Sequence, residues 1–229
     1  MTSSPNSDSA KVLAAQKGLD FVADGMVVGL GSGSTATHFI RLLGERVRRG
    51  LKIRGIASSA ASEELAKSLA IPIINFYDTS VLDVTIDGAD EIGPGLSLIK
   101  GGSGALLREK IVASASKRFI VVADSSKVVN HLGKFPLPIE VIPMASPLVA
   151  QKLQQLGIPS RVRKTKSGSD YVTDEGNLIL DCDCGKITDP ASLAASIRQI
   201  VGVVEHGLFL NMAELALVAD GSQVLTLRR

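Results

Sequence analysis

The chain has no tryptophan, two cysteines, three histidines and only 3% aromatic residues among its 229 positions, and each scarcity narrows what it can be. Two cysteines cannot staple a disulfide-rich fold. Cys182 and Cys184 alternate within "LILDCDCG", on one face of an apparent strand. Neighbours two apart on a strand make poor disulfide partners, and two thiols alone make a weak metal site, so both are expected to be reduced thiols without a function. His38, His131 and His206 are scattered, with no carboxylate or cysteine at metal-ligand spacing, so structural roles and no metal are expected. No apolar run approaches the roughly 20 residues that a membrane span needs. The opening "MTSSPNSDSA" has neither the basic nor the apolar segment of a secretory signal and reads as a frayed polar tail. A net charge of +2 lacks the basic excess of a nucleic-acid binder. The basic clusters "RVRRGLKIR" from Arg46 and "RVRKTK" from Arg161 have no aromatic residues interleaved for base stacking, and read as solvated faces. The expectation is a cytoplasmic protein with neither a membrane nor a nucleic-acid partner.

What is present is an ordinary globular composition, 45% apolar and 21% charged, long enough to bury a full core. "SAKVLAAQKGLDFV" has helical spacing, with Ser9 as its expected N-cap. Strands are expected at "MVVGL", "KIRGIAS", "VLDVTID" and "FIVVAD", alternating with helices "TATHFIRLLGERVRRG", "SAASEELAKSLA" and "GALLREKIVASAS". Continuous apolar strands alternating with helices indicate a Rossmann-like parallel sheet with helices on both faces, an α/β fold. Three prolines in "KFPLPIEVIPM" then change the character of the chain. Beyond them come strand "IEVIP", helix "PLVAQKLQQLG", strands "SRVRKT", "DYVTD" and "NLILDC", helix "DPASLAASIRQIVG" and strand "VVEHGLF". With the short middle strands merged, the order is β-α-β-β-α-β, that of a smaller ferredoxin-like α+β domain. The last segment is long enough to return to the first sheet. Two domains are expected, residues 1–131 with 206–229, and residues 132–205.

"VVGLGSGSTATHF" sets Gly29, Gly31, Gly33, Ser34 and Thr35 between a strand and a helix. Glycines there let backbone N–H groups approach an anion, and the helix N-terminus adds a favourable dipole. A dinucleotide fingerprint would need Gly or Ala where Ser34 stands and an acid ending the next strand, which instead ends "IASSA". A Walker loop would need Gly-Lys-Ser/Thr, which is missing. A small phosphorylated ligand fits best, with a plain structural turn as the alternative.

The segment "IDGADEIGPGLSLIKGGSGALLREK" packs four acids, two lysines and an arginine among glycine turns, with no histidine, cysteine or aromatic residue. Asp87 ends a buried strand, where an acid is costly unless it is used. Gly88 and Ala89 turn the chain to present Asp90 and Glu91 on the same sheet edge as the first glycine loop. Lys100 meets a second glycine turn, Gly101–Gly102, followed by Ser103. On the next helix Glu109 shares a stripe with Ala105, Leu106, Val112 and Ala113, which points it at apolar packing. Partial desolvation would raise its pKa and make it a usable base near neutral pH; a surface ion pair is the alternative. Lys127 follows the next strand on the same edge. Carboxylates, a lysine and a phosphate cradle without a nucleophile or metal suit proton shuttling on a sugar phosphate, with cationic groups stabilising an enediolate oxygen.

The motifs "GLGSGSTA", "TIDGADEI", "KGGSGALLREK" and "GKFPLPIEVIPMA", in this order and spacing, resemble the type A ribose-5-phosphate isomerases. The resemblance runs over nearly the whole chain. It implies interconversion of ribose 5-phosphate and ribulose 5-phosphate in the pentose phosphate pathway with no cofactor, by a homodimer, sometimes a tetramer. It implies that Glu109 moves the proton between carbons 1 and 2, and that Asp87 and Asp90 bind substrate, one of them helping to open the furanose ring. Lys100 and the backbone of Gly101, Gly102 and Ser103 would support the enediolate oxygen. Ser32, Gly33, Ser34 and Thr35 would cradle the phosphate, with Gly88, Ala89 and Lys127 as further substrate contacts and Lys11 approaching the phosphate. Ser32 stands where many members have threonine, and Ser103-Gly104 where Gly-Ala is more frequent. One rival is an aminosugar-phosphate deaminase or acyl-CoA transferase, but no histidine lies near the acids. Another is a sugar-phosphate-sensing domain of a transcription regulator, but no basic helix-turn-helix flanks the sugar-binding half.

Overall fold

The computed structural model describes residues 5–229. Helix α1 (Pro5–Gly18) leads into β1 (Val27–Leu30), α2 (Gly33–Arg48), β2 (Arg54–Ala57), α3 (Ala60–Ser68) and β3 (Val84–Asp87). Two short strands, β4 (Glu91–Ile92) and β5 (Leu98–Ile99), precede α4 (Leu106–Ser114) and β6 (Phe119–Asp124). Then come β7 (Leu137–Val141), α5 (Ser146–Gln155), β8 (Ser160–Val162), β9 (Leu178–Cys182), α6 (Pro190–Arg198) and β10 (Val203–His206). The chain closes with β11 (Leu208–Phe209), β12 (Leu215–Asp220) and β13 (Gln223–Arg228).

The main sheet runs β13-β12-β6-β3-β1-β2, parallel except for β13, which pairs antiparallel with β12 at one edge. Its central strands are buried on both faces, as their continuous apolar runs require. From β6, Ile120 and Val122 pack on one side with Ala14 and Ala15 of α1 and Phe39, Ile40 and Leu43 of α2. Phe119, Val121 and Ala123 pack on the other side with Ala113 of α4, Leu98 and Phe209. This is the expected α/β architecture. Counted along the chain, the parallel strands stand in the order second, first, third, fourth, fifth, a doubly wound pattern that opens a crevice between β1 and β3 at their C-terminal ends.

A second sheet, β10-β7-β9-β8, is antiparallel throughout, and its β-α-β-β-α-β chain order is that of a ferredoxin-like unit. Ile139, Val141 and Leu180 pack there against Val149 and Leu153 of α5 and Ile197 of α6. A small third sheet, β11-β5-β4, joins the two regions. It escaped the sequence reading because two-residue strands carry almost no periodicity.

Other local expectations are corrected. The tail is helical from Pro5, so Ser9 lies inside α1 and is not its N-cap, while residues 1–4 lie outside the described residues. Proline suits that first position because its missing N–H has no helical acceptor to lose. "DYVTD" forms no strand; only the isolated bridges Lys164↔Asp170 and Val172↔Leu178 touch it. Both cysteines are free, Cys182 buried and Cys184 half-buried just past the end of β9.

Candidate active site

The crevice between β1 and β3 becomes a cleft of about 240 Å³. Past Leu30 the chain continues the sheet for one residue, the Gly31 N–H donating to the Ile86 carbonyl at 3.0 Å. Gly31 then passes directly over Asp87, so closely that a Cβ at Gly31 would lie 2.3 Å from Asp87 Oδ1. Only glycine allows the approach. Gly33, at φ +84°, turns the chain into α2, another conformation that side chains resist. Ser34 is exposed at this helix start and Thr35 sits just beneath it, so hydroxyls, N–H groups and the helix dipole share one mouth. The Ser32 hydroxyl is tied back to the Ser58 hydroxyl at 2.7 Å.

Beneath the mouth lies a buried charged cluster. Asp87, 1% exposed at the end of β3, accepts the N–H groups of Ser32 (2.9 Å) and Gly88 (2.7 Å) on Oδ1. Its other oxygen faces Lys100 Nζ at 3.0 Å, and Glu109 Oε2 faces the same ammonium at 3.5 Å. No hydrogen-bond donor is aligned to either of those two oxygens among the described residues. Lys100 Nζ donates to the Gly88 carbonyl at 2.6 Å and lies 5.5 Å from the Phe209 ring centre. Glu109 reaches this point because Leu106, Val112 and Ala113 on the same face of α4 are buried with it. Ser103 Oγ donates to Glu109 Oε1 at 3.4 Å, and the Gly102 N–H donates to Asp90 Oδ2 at 2.7 Å.

Burial is the main influence raising the Glu109 carboxyl, Lys100 pulls it down and the charges of Asp87 and Asp90 add to the rise, leaving it at about 8. Burial works against the Lys100 ammonium, but Asp87 and Glu109 outweigh it and hold this lysine above its usual value. Asp90 is raised, mainly by burial, against the Gly102 N–H and the charges of Lys100, Lys127 and Arg163. The cleft floor therefore holds a carboxyl able to exchange a proton near neutrality beside a fixed positive charge.

Most of the residues singled out from the sequence meet here. The cleft is lined by Ser32 to Thr35, Gly88 to Asp90, Lys100 to Ser103, Glu109 and Lys127. Asp87 sits behind that lining. Lys11, half-buried on α1, does not line the cleft. Glu91 points away: it is 2% exposed and accepts the N–H groups of Gly133 (2.7 Å) and Phe135 (2.6 Å), bracing the connection to the second sheet. His206 is buried beside Lys110, whose ammonium donates to its carbonyl at 2.6 Å and to Glu205 at 2.9 Å. The "RVRKTK" cluster departs from its expected solvated role at Arg163, which is largely buried and donates to the Gly101 carbonyl at 2.8 Å. Nothing in the local sequence pattern marks Arg163, because the Gly101 carbonyl it reaches is 62 residues away in the chain. Among the described residues no cluster of His, Cys, Asp or Glu is arranged to hold a metal, and no helix is long and apolar enough to cross a membrane.

The ribose 5-phosphate isomerase A (phosphoriboisomerase A) family model matches residues 54–223. The chain belongs to that family. It is 50% identical over 220 residues to ribose-5-phosphate isomerase A of Parvibaculum lavamentivorans, covering 93% of this chain and 95% of that one. With the Bradyrhizobium diazoefficiens relative of the same name the identity is 49%, over 98% and 97% of the two chains. Among solved structures, a D-ribose-5-phosphate isomerase in complex with phospho-erythronic acid superposes with a TM-score of 0.95 at 38% identity, covering 98% of this chain and all of the other. The ribose 5-phosphate isomerase A of Methanocaldococcus jannaschii gives 0.93 at 39% identity, over 97% and 99%. The rivals that would need a deaminase histidine or a DNA-binding module have no support in these similarities.

Proposed function

We propose that the chain interconverts D-ribose 5-phosphate and D-ribulose 5-phosphate through an enediolate, in the non-oxidative pentose phosphate pathway. Membership of the isomerase family supports the substrate. The observation that carries the chemistry is Glu109, a buried carboxyl at the floor of a cleft of about 240 Å³, 3.5 Å from a buried ammonium. The substrate phosphate rests on the start of α2, against Ser32 to Thr35, with Lys127 as a further cation. Asp90, which lines the cleft, is better placed than Asp87 to exchange the proton of the anomeric hydroxyl as the furanose opens. Glu109 then removes the C2 proton of the aldose, and the electron pair moves onto O1, facing Lys100 and the N–H groups of the Gly101–Ser103 turn. The same carboxyl returns the proton to C1 while the O2 hydroxyl proton passes to O1, leaving the carbonyl at C2. Lys11 is assigned to the approach of the phosphate on resemblance alone. We also read the chain as a cytoplasmic homodimer of two-domain subunits, with residues 1–131 and 206–229 forming one domain and 132–205 the other; light scattering tests the dimer.

The deciding experiment is incubation with ribose 5-phosphate in deuterated water containing EDTA. Ketose should appear with deuterium, full or partial, at the transferred position, since a shielded base can return part of its original proton. Folded protein that binds the sugar phosphate without forming ketose would replace this reading with that of a sensor.

A further inference from the structure

Arg163 lies just past β8, in the second sheet, yet its side chain serves the cleft. Its backbone N–H still pairs with the Ile179 carbonyl at 2.8 Å, and its side chain is only 12% exposed. Two guanidinium nitrogens grip Asp181 as a fork, Nε to Oδ2 at 3.1 Å and Nη2 to Oδ1 at 2.5 Å. The remaining nitrogen, Nη1, donates to the carbonyls of Gly101 (2.8 Å) and Gly102 (3.2 Å). In a planar trans peptide the C=O and the following N–H point in opposite directions. With both carbonyls turned to Arg163, the next two N–H groups must face away from it. The Gly102 N–H does so, reaching Asp90 Oδ2 at 2.7 Å. The Ser103 N–H is left facing the same side, with no acceptor among the described residues. The turn also closes on itself, the Gly104 N–H donating to the Gly101 carbonyl at 2.9 Å, but glycines have little conformational preference of their own, and Arg163 adds an anchor from outside the turn.

We propose that Arg163, oriented by Asp181, is a positioning residue for the isomerisation: it holds the Gly101–Ser103 turn so that the Gly102 N–H stays on Asp90 and the Ser103 N–H faces the oxygen on which charge develops. This deepens the isomerase reading and rests on it. Lysine would not replace the arginine, because a point-charge ammonium cannot hold the Asp181 fork and two carbonyls in one plane.

The test uses the full chain with Arg163→Ala and Arg163→Lys. It reads kcat and KM for ribose 5-phosphate, inhibition by 4-phospho-D-erythronate (whose carboxylate places negative charge near the enediolate position), and amide hydrogen exchange over residues 101–104. Arg163→Ala should lower kcat roughly 10- to 100-fold, with KM changed by less than about threefold. Inhibition by the phosphoerythronate should weaken by a factor similar to the loss in kcat, and exchange at Gly102 and Ser103 should quicken about tenfold or more. Millimolar guanidinium should restore part of the kcat of Arg163→Ala and none of that of Arg163→Lys. A folded Arg163→Ala with kcat within about threefold of the parent overturns the proposal, as does a loss of kcat with unchanged exchange. Should Arg163→Ala fail to fold, Arg163→Lys is judged by the same two criteria. A parent chain that does not turn over ribose 5-phosphate removes the isomerase reading and this proposal with it, whereas an active parent with an unaffected variant removes only the proposal.

Discussion

Lys100 Nζ stands 3.5 Å from Glu109 Oε2, and both side chains are 2% exposed. Two opposite charges this close attract far more strongly in a dry interior than in water. The attraction does not win outright, because burial and the neighbouring charges of Asp87 and Asp90 still leave Glu109 raised to about 8. The pair therefore combines a permanently charged ammonium with a carboxyl that can take up and release a proton in the working range. A proton shuttle between adjacent carbons needs that combination.

Glu109→Gln keeps the shape of the side chain and removes the proposed base. Turnover of ribose 5-phosphate should fall by roughly 10²–10⁴, with binding of the sugar phosphate largely retained. Steady-state kinetics and calorimetric titration on the same preparation check this. Turnover within a few fold of the parent would sink the mechanism.

The pH dependence has a definite sign. The proposed mechanism needs Glu109 ionised to act on the aldose, and a raised pKa means that the ionised fraction grows as pH climbs through about 8. Below that point kcat/KM should rise about tenfold per pH unit and then level off. Lys100, held above its usual 10.5, keeps its charge through the plateau, so no fall should appear before that value is passed. A profile already flat from pH 6 upward would contradict the raised carboxyl.

Lys100→Met removes the one neighbour in the cluster that pulls Glu109 down. The rising limb should therefore move to higher pH than in the parent, and kcat/KM should drop by about 10²–10³ through loss of charge stabilisation. Rate profiles of parent and variant, recorded side by side, decide the matter. An unmoved limb would mean that Lys100 does not set the charge state of Glu109.

Lys110, next to Glu109 in sequence, has a different task. Its ammonium is fixed between Glu205 and the His206 carbonyl and lies 4.8 Å from the Phe209 ring centre, tying α4 to β10. Lys110→Met should destabilise the fold by about 1–3 kcal/mol, because the buried His206 carbonyl loses a donor, while Glu205 keeps Arg198 and the His206 N–H. Urea unfolding followed by circular dichroism measures the loss, and an unchanged midpoint would exclude the tie.

Much of the site was legible before the fold was. Apolar strand runs, glycines at strand ends and the three-residue spacing from Leu106 to Glu109 to Val112 are local signals, readable without any distant contact. Because the strands are parallel, every loop following a strand emerges on one edge, so Asp87 and Lys127 could be placed together from their chain positions alone. The small sheet formed by β4, β5 and β11 was not legible, since its pairing joins residues 91–99 to 208–209. Lys11 matched by resemblance, yet the packing of α1 keeps it out of the cleft lining.

By itself, the sequence determined the order of elements, the edge on which they gather their acids, lysines and glycines, and the stripe that turns Glu109 inward. The tertiary structure alone decided two things: that Lys100 is buried between two carboxylates, and that Arg163 reaches from the second sheet to the carbonyls of the Gly101–Ser103 turn. The physical reason is that pattern and propensity act between near neighbours in the chain. Desolvation, Coulomb interaction and hydrogen-bond direction act through space, and no run of residues records which distant groups will share it.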